Sequence, residues 1–259
     1  FRSIFNFQAV AFSDSFTLKS KNIEILNEGD QINAYNGKAI SSDKNLEINS
    51  DKFIYLKNLD ILKSTGNGQA LIKSEKIQMK YDDATFDQKN QSIKANGNVE
   101  VFPIDGSFII KNEKIFYDQK NNIISSDETT QIEDNFGNTH FVDSFVFEIN
   151  KNLIKANNLI SQDAQLNTFK TPIAFINTNS GKVFGKDVKI DINDSSIQGE
   201  NNYRLRGNSG KIDNNSAEIT KGVFTTCKKR EGCPPWQFSA KNIKHDKKKR
   251  EISYKSALL

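Results

Sequence analysis

Two histidines and two cysteines are the side chains best suited to chemistry in this 259-residue chain, and their spacing suits little of it. His140 and His245 stand alone, neither at ligand spacing from a cysteine. A Cys-x5-Cys pair, Cys227 and Cys233, lacks the further ligands of a four-coordinate zinc site. The loop Lys228 to Gly232 is long enough for the two thiols to bond to each other, and either could instead bond to chain outside this sequence. His245-Asp246 lies between Lys244 and Lys247, a context that predicts a solvated, charged turn. Aspartates and glutamates are scattered through turn-like segments without an acid/base couple, and glycine-rich phosphate loops are absent. The sequence therefore predicts no catalytic residue, no metal and no cofactor: a protein that is not an enzyme.

Charge narrows the partners. The net charge of +4 is local: residues 227–259 hold ten Lys/Arg against three acids, whereas the preceding 226 residues hold 26 bases against 29 acids. Lys247-Lys248-Lys249-Arg250 could attract a phosphorylated surface, but no alternation of aromatics with bases accompanies it, so no nucleic acid is expected. No apolar run reaches the 18 residues of a membrane helix. Ala9-Val10-Ala11 fits the small-x-small rule for signal cleavage, so residues 1–11 read either as the remnant of an export signal or as a first strand. Export would place the cysteines in an oxidising compartment.

What must position these residues is sheet. Ile48-Asn49-Ser50-Asp51-Lys52-Phe53-Ile54-Tyr55, Ile72-Lys73-Ser74-Glu75-Lys76-Ile77-Gln78-Met79 and Ile110-Lys111-Asn112-Glu113-Lys114-Ile115-Phe116-Tyr117 repeat one pattern, an apolar start, a polar stretch with lysine fifth, then alternation. Fainter copies lie at Leu18 to Ile25, Phe141 to Phe147, Val183 to Ile190 and Phe238 to His245. Apolar residues two apart run through most of the length, and 31 Asn with only 4 Pro supply tight turns. Such self-similarity predicts stacked antiparallel rungs in an all-β fold, an open or flattened tube with an apolar interior. The alternation assigns Phe53, Tyr55, Ile77, Met79, Ile115, Tyr117, Phe145 and Phe147 to that interior, and Ile54, Phe116 and Val146 to the opposite parity. Gly66-Asn67-Gly68 and Asn96-Gly97-Asn98 read as turns between strands, and residues 161–182, with Pro172, as a bend or seam. The first rung, Phe16, Leu18, Ile23 and Ile25, is expected to be an open edge.

The segment Phe224-Thr225-Thr226-Cys227 … Cys233-Pro234-Pro235-Trp236-Gln237-Phe238, followed by Ile243-Lys244-His245-Asp246 and Tyr254-Lys255-Ser256-Ala257, carries a resemblance. It resembles the end of the periplasmic domain of the lipopolysaccharide-assembly outer-membrane protein family (LptD, or organic solvent tolerance protein), and the upstream rungs are similar to repeats shared with the LptA and LptC proteins. The resemblance implies a twisted, slightly open β-jellyroll over residues 12–259, in the periplasm at the outer membrane. It would receive lipopolysaccharide from an LptA bridge at the N-terminal edge and guide acyl chains to a C-terminal barrel plugged by the lipoprotein LptE. Cys227 would take the place of a cysteine that bonds to that barrel, whereas Cys233 has no firm counterpart. The alternatives from other classes are a soluble bridge protein of the LptA or LptC type and a structural β-solenoid that holds no lipid.

Overall fold

The computed structural model describes residues 9–12, 15–193, 203–227 and 236–258. Of these, 73% lie in antiparallel strands. They form two compact units, divided between Glu128 and Thr129. The first contains β1 (Ala9–Phe12), β2 (Phe16–Leu26), β3 (Gln31–Ser41), β4 (Leu46–Leu56), β5 (Ile61–Ile72), β6 (Ile77–Asp87), β7 (Ser92–Pro103), β8 (Phe108–Asp118) and β9 (Ile123–Ser126). The second contains β10 (Thr130–Asp134), β11 (Thr139–Val142), β12 (Ser144–Glu148), β13 (Leu153–Gln162), β14 (Thr168–Asn177), β15 (Lys182–Ile192), β16 (Tyr203–Ile212), β17 (Ser216–Thr225), β18 (Phe238–Asp246) and β19 (Glu251–Leu258). In the first unit consecutive strands pair as a meander; in the second the same holds except that β11 and β12 lie end to end along β13, and among the described residues the first strand of a unit never pairs with its last, so no closed barrel forms within either unit.

Every long strand bends once near its middle, and the repeated sequence pattern is the chemistry of that bend. In β4, Leu46, Ile48 and Ser50 point inward, Asp51 and Lys52 point outward, and Phe53 and Tyr55 point inward again. The parity switch is the mark of a bulge, which lets both halves of one strand face the same interior. β6 switches between Tyr81 and Ala84, β8 between Asn112 and Ile115, and β14 between Thr171 and Ala174. Alternate strands carry a residue with positive φ at the bend: Asn36, Asn67, Asn98, Asn158, Asp187, Lys221 and Ser256. Asparagine tolerates this left-handed conformation at least cost among non-glycine residues, which suits Asn36, Asn67, Asn98 and Asn158 to the bend.

The bends are sewn by side chains. The hydroxyl of Ser50 donates to Thr65 O at 2.9 Å, and Tyr35 N donates to the Ser20 hydroxyl, also at 2.9 Å. Outside, Asn67, Asn98 and Asn158 donate to Asp51, Asp82 and Asp143 at 2.7–2.8 Å. Each clasp joins the outward residue of one bent strand to the left-handed residue of the next.

Because every strand bends at the same level, the sheet folds onto itself. Phe16 at the start of β2 meets Tyr55 at the end of β4 edge-to-face, with centroids 5.9 Å apart, although the two lie in opposite strand halves. The core of each unit is the space between its two halves.

Two expectations need correcting. Ile72 to Met79 is the β5–β6 hairpin with its turn at 73–76, so its likeness to the bends of β4 and β8 is one of sequence only. Gly66-Asn67-Gly68 and Asn96-Gly97-Asn98 are bulges inside β5 and β7, not turns between strands. Pro172 sits at the bend of β14, within the stretch read as a bend, and its outward ring displaces no ladder bond.

Gly68 shows how tight a bend is. A Cβ there would come within 2.0 Å of the Tyr81 ring, which lies flat against the glycine. Gly68→Ala is therefore expected to lower the unfolding free energy by about 1–3 kcal/mol, the usual range for overpacking. The loss should shrink in a Tyr81→Leu background; an equal loss in both backgrounds, by urea denaturation, would show that the ring is not its cause.

Candidate functional site

The eight residues assigned to the interior are all buried. Phe53, Tyr55, Ile77, Met79, Ile115 and Tyr117 lie within the first unit, and Phe145 and Phe147 within the second, none more than 2% exposed. Their neighbours of the other parity point out, with Phe116 and Val146 each 39% exposed. The interior of each unit is therefore apolar and lined as alternation dictates, a scaffold of the kind suited to carrying lipid. It is also occupied by the chain's own side chains, so a guest must part the two halves.

The ends of the folded strands form two lips that meet along a seam. In the first unit the Ser15 hydroxyl donates to Asp60 at 2.8 Å, and the Tyr55 hydroxyl donates to the same carboxylate at 2.7 Å. In the second unit the first lip carries the hairpin turns 134–138 and 163–167, and the second lip the turns 178–181, 213–215 and 247–250. Among the described residues, these contacts cross between them. Phe136 covers Gly181 so closely that a Cβ there would meet its ring, Asn138 donates to Asn214 at 3.4 Å, and Lys247 donates to Asp163 at 2.9 Å.

The two first-lip turns share one design, Asp-x-x-x-Asn. Asp134 accepts from the backbone N–H groups of Phe136 and Asn138, and from the Asn138 amide. Asp163 accepts in the same way from Gln165, Asn167 and the Asn167 amide. Each buried aspartate also faces a basic side chain: His140 Nε2 lies 3.5 Å from Asp134, and the Lys247 ammonium neutralises Asp163. Burial pushes both carboxyls up. It is outweighed by the nearby His140 and the Asn138 bonds for Asp134 and by the Asn167 and Lys247 bonds for Asp163, so both sit below the ordinary range. Asp213 behaves alike, burial being overcome by the backbone of Asn215 and Ser216.

Beside the Lys247–Asp163 bridge is a cavity of about 200 Å³, with Asn167, Ile192, Tyr203, His245, Arg250 and Ile252 among its walls. His245 is thus an inward residue of β18, only 7% exposed, and not part of a solvated turn. The bend in β18 after Ala240 sets Ile243 and His245 on the inner parity, which local charge could not reveal. Asp246 alone serves the turn, accepting from Lys248 and Lys249.

Farther along the same interior, Phe224 is ringed by Tyr203, Trp236 and Tyr254 at centroid distances of 5.8, 6.3 and 6.0 Å, and Phe238 packs on both Trp236 and Tyr254. Trp236 and Tyr254 remain 38% and 40% exposed, so this aromatic group opens outward beside the last strand. The described residues on either side of its loop are tied down. Thr225 donates to Trp236 O at 2.9 Å, and Arg204 donates to Cys227 O at 2.6 Å. Cys227 is half-buried; Cys233 lies outside the described residues.

The first rung is covered over only part of its length. β1 pairs with β2 from Thr17 to Ser20, and Phe16 and Leu18 are core residues. The second half of β2 has no neighbour on that side among the described residues, and Ile25 is 65% exposed. The Ala9-Val10-Ala11 stretch, read above as signal remnant or strand, lies in β1.

Sequence reasoning missed the Asp163–Lys247 bridge, whose partners are 84 residues apart. The recurrence of Asp-x-x-x-Asn at 134–138 and 163–167 was the available signal. No family model matches the chain, and no curated protein matches it in sequence. No helix among the described residues is long and apolar enough to cross a membrane.

The three depressed aspartates predict an acid limit. A carboxyl whose folded pKa lies below its ordinary 3.8 contributes stability above that value and loses it as pH falls through the folded pKa. The unfolding midpoint in urea is thus expected to be flat above about pH 5 and to drop below 3.8. Asp163→Asn, which keeps the turn's acceptor, should flatten that drop; an unchanged profile would remove Asp163 from the set.

Proposed function

We propose that this chain is the periplasmic part of a lipopolysaccharide-assembly protein of the LptD kind, in which the interior of the folded sheets takes the acyl chains of lipopolysaccharide. The observation that carries this reading is the strict parity of large apolar residues, with Phe53, Ile115 and Phe145 turned in and Phe116 and Val146 turned out. An acyl chain in water costs about 0.8 kcal/mol for each exposed CH₂, so a carrier must offer apolar surface continuously while its own backbone groups stay paired. A sheet folded along bends does both, and a seam held by a few polar contacts leaves a sugar and phosphate headgroup in water. No energy source is needed in the chain itself if affinity stays similar from rung to rung.

In this reading an LptA-type bridge protein adds a strand to the uncovered second half of β2, around Ile23 and Ile25, by β-augmentation. The aromatic group around Phe224 and Tyr254 lies toward a C-terminal barrel at the outer membrane, with LptE reached through that barrel, and Cys227 bonds to the barrel. A second reading, a structural β-protein that holds no lipid, is favoured by the Phe16–Tyr55 contact that fills the first interior.

Photo-crosslinking in cells decides between them. A crosslinker at Phe53, Ile115 or Phe145 should capture lipopolysaccharide, and one at Ile54, Phe116 or Val146 should capture several-fold less. Equal yields from both parities, or none from either, would leave the structural reading. Crosslinks to a bridge protein should map to residues 21–26, and clustering at 238–254 would reverse the orientation. Non-reducing peptide mapping of the full-length protein should find Cys227 joined to a peptide from beyond Leu259; a Cys227–Cys233 peptide alone would remove the interdomain bond.

A further inference from the structure

We infer that Lys247 and Asp163 form a latch across the seam of the second unit, and that the two lips part there when the interior is reached from outside. The bridge joins the β18–β19 turn on one lip to the β13–β14 turn on the other, two elements that share no ladder of backbone hydrogen bonds. Ladder bonds hold each lip along its own length, whereas the contacts named across this seam are side-chain contacts. Among these, the Phe136–Gly181 packing is half-exposed on its aromatic side, and the Asn138–Asn214 bond is long at 3.4 Å. The ion pair is the short one, and its side chains are only 9% and 4% exposed.

A pair placed so deep is strongly coupled to closure. Its two charges are compensated only while the lips meet, because separation leaves each ion to find water. Both ends are anchored for this task. Asp163 is held by Gln165 and Asn167, and the Lys247 backbone donates to Asn215 O at 2.9 Å. The cavity beside the pair, walled in part by Ile192, Tyr203 and Ile252, is the space into which parting would widen the seam. Opening needs only local rearrangement of two hairpin turns, since the bends at the far side of the fold remain paired. What passes the seam rests on the lipid reading above; the latch itself does not.

The test is a double-mutant cycle read by amide hydrogen exchange on the full-length protein. Lys247→Met and Asp163→Asn should each raise exchange in residues 163–167 and 246–250 by about tenfold or more, and the double variant should add little to either, because one interaction is lost in all three. Lys247→Arg keeps the charge and should stay protected, which separates the pair from general damage to the turn. Exchange at the bends near Asn158, Asp187 and Lys221 should not change. Unchanged exchange at the lips, additive effects, or a rise spread over the whole second unit would each overturn the latch. A crosslinker at Phe145 in the same variants completes the test. Faster capture of lipopolysaccharide in Lys247→Met than in wild type or Lys247→Arg supports gating of that ligand. Altered exchange with no capture in any variant upholds the latch and refutes the lipid reading.

Discussion

The fold depends on a single recurring constraint, the bend at the middle of each long strand. A regular strand turns alternate side chains to opposite faces, so a flat sheet of these sequences would expose half of its apolar residues. The bulge resets the alternation, and both halves of β4, β6, β8 and β14 then offer apolar side chains to one interior. The price is a left-handed residue on alternate strands and a set of interrupted ladder bonds. Inward hydroxyls such as Ser20 and Ser50 answer the second cost by binding the freed carbonyls, since buried backbone groups left unpaired are expensive. Outward Asp–Asn clasps answer the first by holding Asn67, Asn98 and Asn158 in place.

Bending also concentrates polarity. The interior between the halves is almost wholly apolar, whereas the buried polar groups gather at the bends and along the lips, where strand ends release backbone groups. Asp134 and Asp163 are buried because each satisfies the N–H groups of its own tight turn, and their charges then draw partners from elsewhere. Lys247 is such a partner. Its ammonium contributes to closure because the aspartate it meets was already fixed by local bonds.

In the proposed reading, these two zones would divide the labour that a carrier of amphiphiles requires. Apolar surface is supplied by positions two apart in sequence, and control of access by contacts between turns far apart. The aromatic group around Phe224 adds a third element, with Trp236 and Tyr254 left in partial contact with solvent beside β19.

The sequence alone determined the local alphabet of the protein. Alternation placed Phe53 and Tyr55, Ile77 and Met79, Ile115 and Tyr117, and Phe145 and Phe147 inside, because side-chain direction in a strand is fixed by parity over two or three residues. It also marked, through Asn and Gly, some of the places where the chain takes a left-handed conformation, Asn67 and Asn98 among them, but not Asp187, Lys221 or Ser256. It did not say what that conformation was for. Gly66-Asn67-Gly68 carries the signal of a turn, yet it bends a strand, and the pairing of β5 with both its neighbours decides between the two. Only the tertiary fold brought Phe16 to Tyr55, turned His245 inward and carried Lys247 across to Asp163. Each depends on the second half of a strand folding back over the first, a consequence of many bends in register that no single stretch of sequence contains.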